Sequence, residues 1–432
     1  MTRSSLLLLL LSSLPALPAA WTQDRFVISA WVDPIVNTSQ FDAEYARFAA
    51  SGFTALLGGF GATSPPAVAL QVAACARAGL ACIPASCESP AGPNPGGSCV
   101  TGASDVMGYQ LYDEPQPAAF PNISAWFARL AVAAPGKLRF VNLLPNYADF
   151  APPGGYRGYL RAFVDTVRPD LLCFDHYPLF YPGSATDAAS NTSQAGYLRN
   201  LADVREASLA AGIPFWNFFN AMPFNGRPDV TEAQLRWQVY SSLAYGAKGV
   251  LYFCYWSPTG ASFAWGNALI TPRALPGGAP VYVPGPHLAQ AARINAKLGV
   301  YGAYLLNATS TGTALAGGAG AGGPQQPGVG PLAWVQGAIA SPANVPWSAL
   351  AGAFALPARG GAALLLHNQD ADYPVIFRVG WAGGAAASEV DGATGAVAPA
   401  LDDAPGTGEG FNVALEAGDA RLFVFPAAAA AA

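Results

Sequence analysis

Eight short apolar runs alternate with segments of helical period across residues 25 to 300, and several of those segments end in glycine just before the next run. After residue 300 the pattern changes to short strand-like runs separated by turn residues. These observations predict an α/β chain: a (β/α)8 TIM barrel over residues 21–305, followed by a small antiparallel β-sandwich domain over 332–426. The 432 residues suffice for one large core and a second, smaller one.

The expected barrel strands are Phe26–Trp31, Phe53–Leu57, Leu80–Pro84, Val106–Tyr112, Arg139–Leu144, Leu171–Phe174, Pro214–Phe219 and Gly249–Tyr255. Between the first two, Phe41, Tyr45 and Phe48 recur at i, i+4, i+7 on one helical face. Ile123–Ala133, Tyr156–Val167, Tyr197–Ala210 and Glu232–Tyr245 behave likewise. Gly52, Gly79, Gly212 and Gly246 supply the left-handed stop of a short αβ loop. A doubly wound sheet would need a glycine-rich phosphate turn after the first strand, and Trp31-Val32-Asp33-Pro34 is not one. Residues 306–331, Gly/Ala/Pro-rich from Thr311 to Pro331, read as a loop or linker. Beyond them Ala363–His367, Val375–Val379 and Ala420–Phe425 read as strands, with Asp391-Gly392 and Thr394-Gly395 as turns and 427–432 as an alanine tail.

Arg3, the apolar run Leu6–Leu11 and the small residues ending at Ala20 form a secretory signal peptide over residues 1–20. No later segment reads as a transmembrane helix, so the expectation is a soluble, secreted protein without a membrane partner. Sequons at Asn37, Asn122, Asn191 and Asn307 agree with export as glycosylation sites. A net charge of −5 argues against a nucleic-acid partner, and 52% hydrophobic content argues against disorder. Nothing in the sequence sets the oligomeric state. Cys87 and Cys99 bracket a Pro/Gly/Ser loop and are the first choice for a disulfide, with Cys75–Cys82 second. Cys173 and Cys254 read as buried thiols. The three histidines stand at no ligand spacing from a cysteine pair, so no metal is expected, and no cofactor is implied.

In a barrel of this kind, chemistry sits at the C-terminal strand ends. Those ends carry Trp31 and Asp33, then Tyr112, Asp113 and Glu114, then Asn146 after strand five. Asp175, His176 and Tyr177 end strand six, Asn217 belongs to strand seven, and Tyr255 with Trp256 ends strand eight. Aromatic rings stack on the apolar faces of sugars, carboxylates and amides bind hydroxyls, and a carboxyl pair is the minimum equipment for cleaving a glycosidic bond. No Ser-His-Asp arrangement competes. The expected partner is therefore a carbohydrate substrate.

Tyr112-Asp113-Glu114-Pro115 resembles the acid/base strand of clan A glycoside hydrolases, where a Glu follows Asn and precedes Pro. Phe174-Asp175-His176-Tyr177-Pro178, Leu235–Tyr240 and Ala244–Gly249 resemble segments of secreted, beta-galactosidase-like barrel proteins, which also usually carry a C-terminal sandwich. The resemblance implies that Glu114 is the general acid/base. Two departures stand out: Asp113 replaces the usual Asn, and strand seven ends Asn217-Phe218-Phe219-Asn220 without the nucleophilic Glu. Glu232 follows but reads as the first turn of a helix capped by Thr231. The second carboxylate is then Asp175, whose separation from Glu114 could suit an inverting enzyme, or which instead pairs with Arg157 or Arg236 to organise the mouth. Asp33 reads as a hydroxyl ligand or a loop cap, and His176 as a ligand or an ordinary satisfied polar group. The expectation is a glycoside hydrolase; the alternative is a carbohydrate-binding barrel that has lost its nucleophile.

Overall fold

Each of the eight apolar runs forms a parallel strand. They are β1 (Val27–Ala30), β2 (Ala55–Leu57), β3 (Ala81–Ile83), β4 (Gly108–Asp113), β5 (Leu138–Leu143), β6 (Leu172–Asp175), β7 (Phe215–Asn220) and β8 (Gly249–Phe253). β1, β6 and β7 are buried at every position, which is why they read as unbroken apolar runs: a parallel sheet is covered on both faces. The computed structural model describes residues 20–85, 106–148, 153–180, 193–258, 266–275, 278–319, 324–340, 346–406 and 409–427. The leader before Ala20, the Cys87–Cys99 bridge, the Asn191 sequon and the tail beyond Ala427 lie outside the described residues.

Strands β1, β8, β7, β6, β5 and β4 pair in that order as one curled sheet resembling a half-barrel, and β2 pairs with β3. Parallel bridges Cys82–Val106 and Ala85–Gln110 lead from β3 towards β4, and Thr54 donates its N–H to the Ile28 oxygen at 2.8 Å beside β1. Helices α1 (Phe41–Ala50), α2 (Pro65–Arg77), α3 (Phe120–Ala133), α4 (Gly155–Val167), α5 (Gln194–Ala211) and α6 (Glu232–Ala244) alternate with the strands, and α7 (Pro286–Leu305) follows. Gly52 has a φ of +79°, and a Cβ there would lie 2.7 Å from that of Asn295. A hairpin of β9 (Ile270–Leu275) and β10 (Gly278–Pro284) intervenes between β8 and α7. The sequence reading lacked it because Pro272, Pro280 and Pro284 break a strand signal, yet a two-stranded ribbon has free edges that tolerate proline. Among the described residues no helix is long and apolar enough to cross a membrane.

The remaining strands are β11 (Thr309–Gly318), β12 (Gln326–Pro327), β13 (Leu332–Ala340), β14 (Trp347–Ala355), β15 (Ala362–Asn368), β16 (Val375–Trp381), β17 (Ser388–Val390), β18 (Val397–Pro399), β19 (Phe411–Leu415) and β20 (Ala420–Phe425). They form two antiparallel sheets, β11-β14-β15-β20-β17-β18 and β12-β13-β16-β19. The central strands of the first sheet, β14 and β15, are buried on both faces. In β15, Ala363 and Leu365 join the core shared with the parallel sheet, whereas Leu364 and Leu366 join the sandwich interior, so this strand is continuously apolar.

Two expectations need correction. The stretch read as a linker contains β11, which pairs with β14 almost throughout its length. Its residues are mostly exposed or half-buried, as on an edge strand, and its order comes from the ladder with β14. Cys75 and Cys82 are free, fully buried thiols in hydrogen-bond contact, not a disulfide; Cys173 and Cys254 are also buried and free.

Candidate active site

The ends of β4 and β6 bring three carboxyl groups together. Asp113 closes β4, and Glu114 follows it with a φ of 49°, left-handed backbone that few residues other than glycine adopt. The Glu114 N–H donates to the Asn142 oxygen of β5 at 2.8 Å. Asp175 closes β6, and its side chain lies close enough to that of Glu114 for the two carboxyls to interact. Asn142 Nδ2 lies 3.1 Å from Asp113 Oδ1 and 3.2 Å from Asp175 Oδ1. Val32, after β1, has a φ of 59° and lines the same cleft. A β-branched residue in that conformation is strained, and such strain gathers at functional sites.

The cleft above these acids encloses about 410 Å³. One wall is Trp31, set edge-on to Phe60 at 5.5 Å and to Phe218 at 5.7 Å between ring centres. The facing residues include Tyr177, packed on Phe224 and Phe253 at 5.1 Å each. Among the described residues none of the three acids has a lysine, arginine or histidine at ion-pair distance.

Loss of hydration sets the electrostatics. Asp113 and Glu114 are open to the cleft but walled by protein behind, and desolvation raises both above the usual carboxylate range. Asp113 is pushed up to about 6, the Glu114 charge adding to the effect and the Asn142 bond opposing it. Asp175 is buried and raised furthest, by desolvation first and then by the charges of Glu114 and Asp113. Of the two, Asp175 is the more deeply buried, so desolvation favours its protonated form more strongly.

Trp31 and Tyr177 line the cleft, but most of the expected sugar ligands do not. Asp33 is buried and wholly engaged, accepting from Phe60 N at 2.8 Å, Gly61 N at 3.1 Å and Gln71 Nε2 at 2.7 Å, so it anchors the loop that presents Phe60. Tyr112 stacks on Trp126 of α3, away from the acids. Asn146 donates Nδ2 to the Gly196 oxygen, and its N–H to Asn200, joining its loop to α5. His176 is fully buried, contacts Asn200 through Nδ1, and is held neutral by desolvation at about 3. Asn217 binds Tyr197 and Ser242 of the covering helices. Tyr255 packs on Phe48 and Phe53, and Trp256 stacks on Tyr282 of β10. Strand parity explains several of these: successive side chains alternate faces, so if Phe218 points to the cleft, Asn217 cannot.

Glu232 is the first residue of α6, behind the Thr231 cap, and pairs with Arg293 at 2.6 Å and Arg236 at 3.5 Å. Arg157 binds Asp203 and Glu206, so neither arginine is a partner for Asp175. Reading only strand ends missed Asn142, which lies inside β5, and Phe60, Phe218, Phe224 and Phe253.

No protein-family model and no curated protein matches the sequence. Among solved structures the chain is similar to a glycoside hydrolase family 5 protein from Bacteroides vulgatus, at 9% identity and a TM-score of 0.41, over 93% of this chain and 89% of that one. It is similar to the mannanase catalytic domain of Streptomyces sp. SirexAA-E at 16% identity and a TM-score of 0.36, over 60% and 86% of the two chains. It is also similar to a Thermomonospora fusca beta-mannanase at 17% identity and a TM-score of 0.35, over 55% and 80%. Likeness at this level assigns no chemistry, which must come from the residues themselves. Among the described residues no group of three or more His, Cys, Asp or Glu is placed to hold a metal ion.

Proposed function

We propose that the protein is a secreted glycoside hydrolase whose eight parallel strands close as a (β/α)8 barrel, cleaving O-glycosidic bonds of a polysaccharide or glycoconjugate. The supporting observation is the interacting Asp175–Glu114 pair beneath a cleft walled by aromatic rings. Buried Asp175, whose protonated form desolvation favours, is the general acid. Glu114, exposed to the cleft, is the carboxylate that attacks the anomeric carbon. As the carbon–Glu114 bond forms, the glycosidic bond breaks and the Asp175 proton passes to the leaving oxygen. Asp175 then takes a proton from water, whose oxygen attacks the same carbon and releases Glu114, so configuration is retained. These roles reverse those implied by the clan A resemblance, because burial, not strand number, decides which carboxyl holds the proton. Exposure of Asn37, Asn122 and Asn307 supports the secreted reading, since glycan acceptors must be accessible.

The test is turnover on a broad glycan panel by wild type and Glu114→Gln. The variant should bind sugar while losing activity by at least ~10²–10⁴-fold, and near wild-type turnover would overturn the assignment. A second reading, a carbohydrate-binding barrel without catalysis, is favoured by the end of β7, where buried Asn217 and Asn220 stand and no carboxyl does. Affinity without new reducing ends in wild type would select it.

A further inference from the structure

We propose that Asn142 is the positioning residue of this site: its single amide nitrogen, shared between Asp113 and Asp175, confines the proton of the cluster to the Asp175–Glu114 contact. The proposal deepens the hydrolase reading and takes its catalytic meaning from it.

Asn142 is 4% exposed and touches all three acids. Nδ2 reaches Asp113 Oδ1 and Asp175 Oδ1 at 3.1 and 3.2 Å, and the main-chain oxygen accepts from the Glu114 N–H at 2.8 Å. An amide nitrogen carries two hydrogens, so one Asn can serve both carboxyls at once. Its orientation follows from its neighbours. Turned over, Oδ1 would face two acids and could form no bond to a charged carboxylate. With Asp175 Oδ1 occupied as an acceptor, the proton of Asp175 belongs on its other oxygen, the one available to Glu114. Asp113, by the same bond, is favoured in its charged form.

Two further observations point the same way. Asn142 Oδ1 is buried and has no partner in the structure, so the residue carries an unrelieved desolvation penalty that an apolar side chain of similar size would avoid. Stability alone does not account for an amide there. The other titratable groups facing the cluster cannot substitute for it. Tyr147, Tyr156, Tyr159, Tyr177 and Cys173 are raised by burial, and His176 is held neutral. The nearby cation, Arg227, lies over the rings of Tyr177, Phe180 and Phe224 and makes no ion pair with the three acids. Among the described residues Asn142 is the side-chain donor to Asp113.

The experiment is a titration of side-chain carboxyl resonances in ¹³C-labelled full-length protein from pH 4 to 8, assigned with Asp113→Asn and Asp175→Asn. In Asn142→Ala the Asp113 midpoint should rise by about one unit from its wild-type position, and Asp175 should rise with it. The thermal midpoint should change little. Unchanged carboxyl midpoints in a folded Asn142→Ala protein would overturn the proposal, whatever happens to Tm. Should that variant fail to fold, Asn142→Ser keeps one donor, and a smaller rise at one of the two acids is expected; no rise at either counts against it. The readout is proton occupancy, so it is separable from the hydrolase reading. Shifted midpoints in a protein without turnover keep the role of Asn142 and remove the enzyme; turnover with unshifted midpoints does the reverse.

Discussion

The acids of the cleft and the acids of the sandwich junction are the same residue types in opposite surroundings. In the cleft Asp113, Glu114 and Asp175 face one another, an amide and aromatic rings, and all three are raised by desolvation. At the junction four acids have each met a cation. Glu232 is bound by Arg293 and Arg236, and Asp419 by Lys297 at 2.8 Å. Arg421 of β20 holds both Glu389 and Asp403. The Arg293 hydrogen bond keeps Glu232 below its ordinary range. A carboxyl with a counter-charge is held in its charged form; one buried without it has its protonated form favoured by desolvation.

That contrast can be broken from either side. The largest effect is expected for Asp175→Asn, which keeps the shape of the pair but removes the transferable proton. Activity should fall by ~10²–10⁴-fold with the fold intact by circular dichroism, and a variant with wild-type turnover would return Asp175 to the bland role of organising the mouth. Next comes Arg421→Ala, which strands two part-buried carboxylates. It should lower stability by about 1–3 kcal/mol in denaturant unfolding, with turnover per folded molecule unchanged. The smallest effect concerns pH. Desolvation pushes Asp113 up to about 6 in the folded chain, above the ordinary carboxylate range of about 4, so the folded state binds its proton more tightly. The stability it contributes is full below about pH 4 and lost as pH rises through about 6. Asp113→Asn should therefore flatten the decline of Tm between pH 4 and 6, leaving the portion due to buried Asp33, also raised to about 6. An unaltered Tm–pH profile would show that Asp113 is hydrated like an ordinary surface acid.

Much of this was legible beforehand. All eight parallel strands were placed within a few residues, because burial on both faces demands uninterrupted apolar runs, and the four helix-stop glycines all carry positive φ. Strand β11 was not, because its alternation is written in glycine and alanine, whose small side chains give hardly any hydrophobic contrast between faces. The carboxyl trio was visible, since acids at the ends of otherwise apolar strands stand out against their neighbours. The aromatic ligands were mostly misplaced. Tyr255 and Trp256 sit at a strand end as Trp31 does, yet they turn into the core.

The sequence by itself determined the eight parallel strands, their alternation with helices and the three acids at the strand ends, because each depends on local composition and period. Only the tertiary structure decided which acid is buried, that Asp33 is a loop anchor, and that Asn142 lies against all three acids. Those outcomes depend on distances of about 3 Å between residues some 30 positions apart, which chain order does not encode.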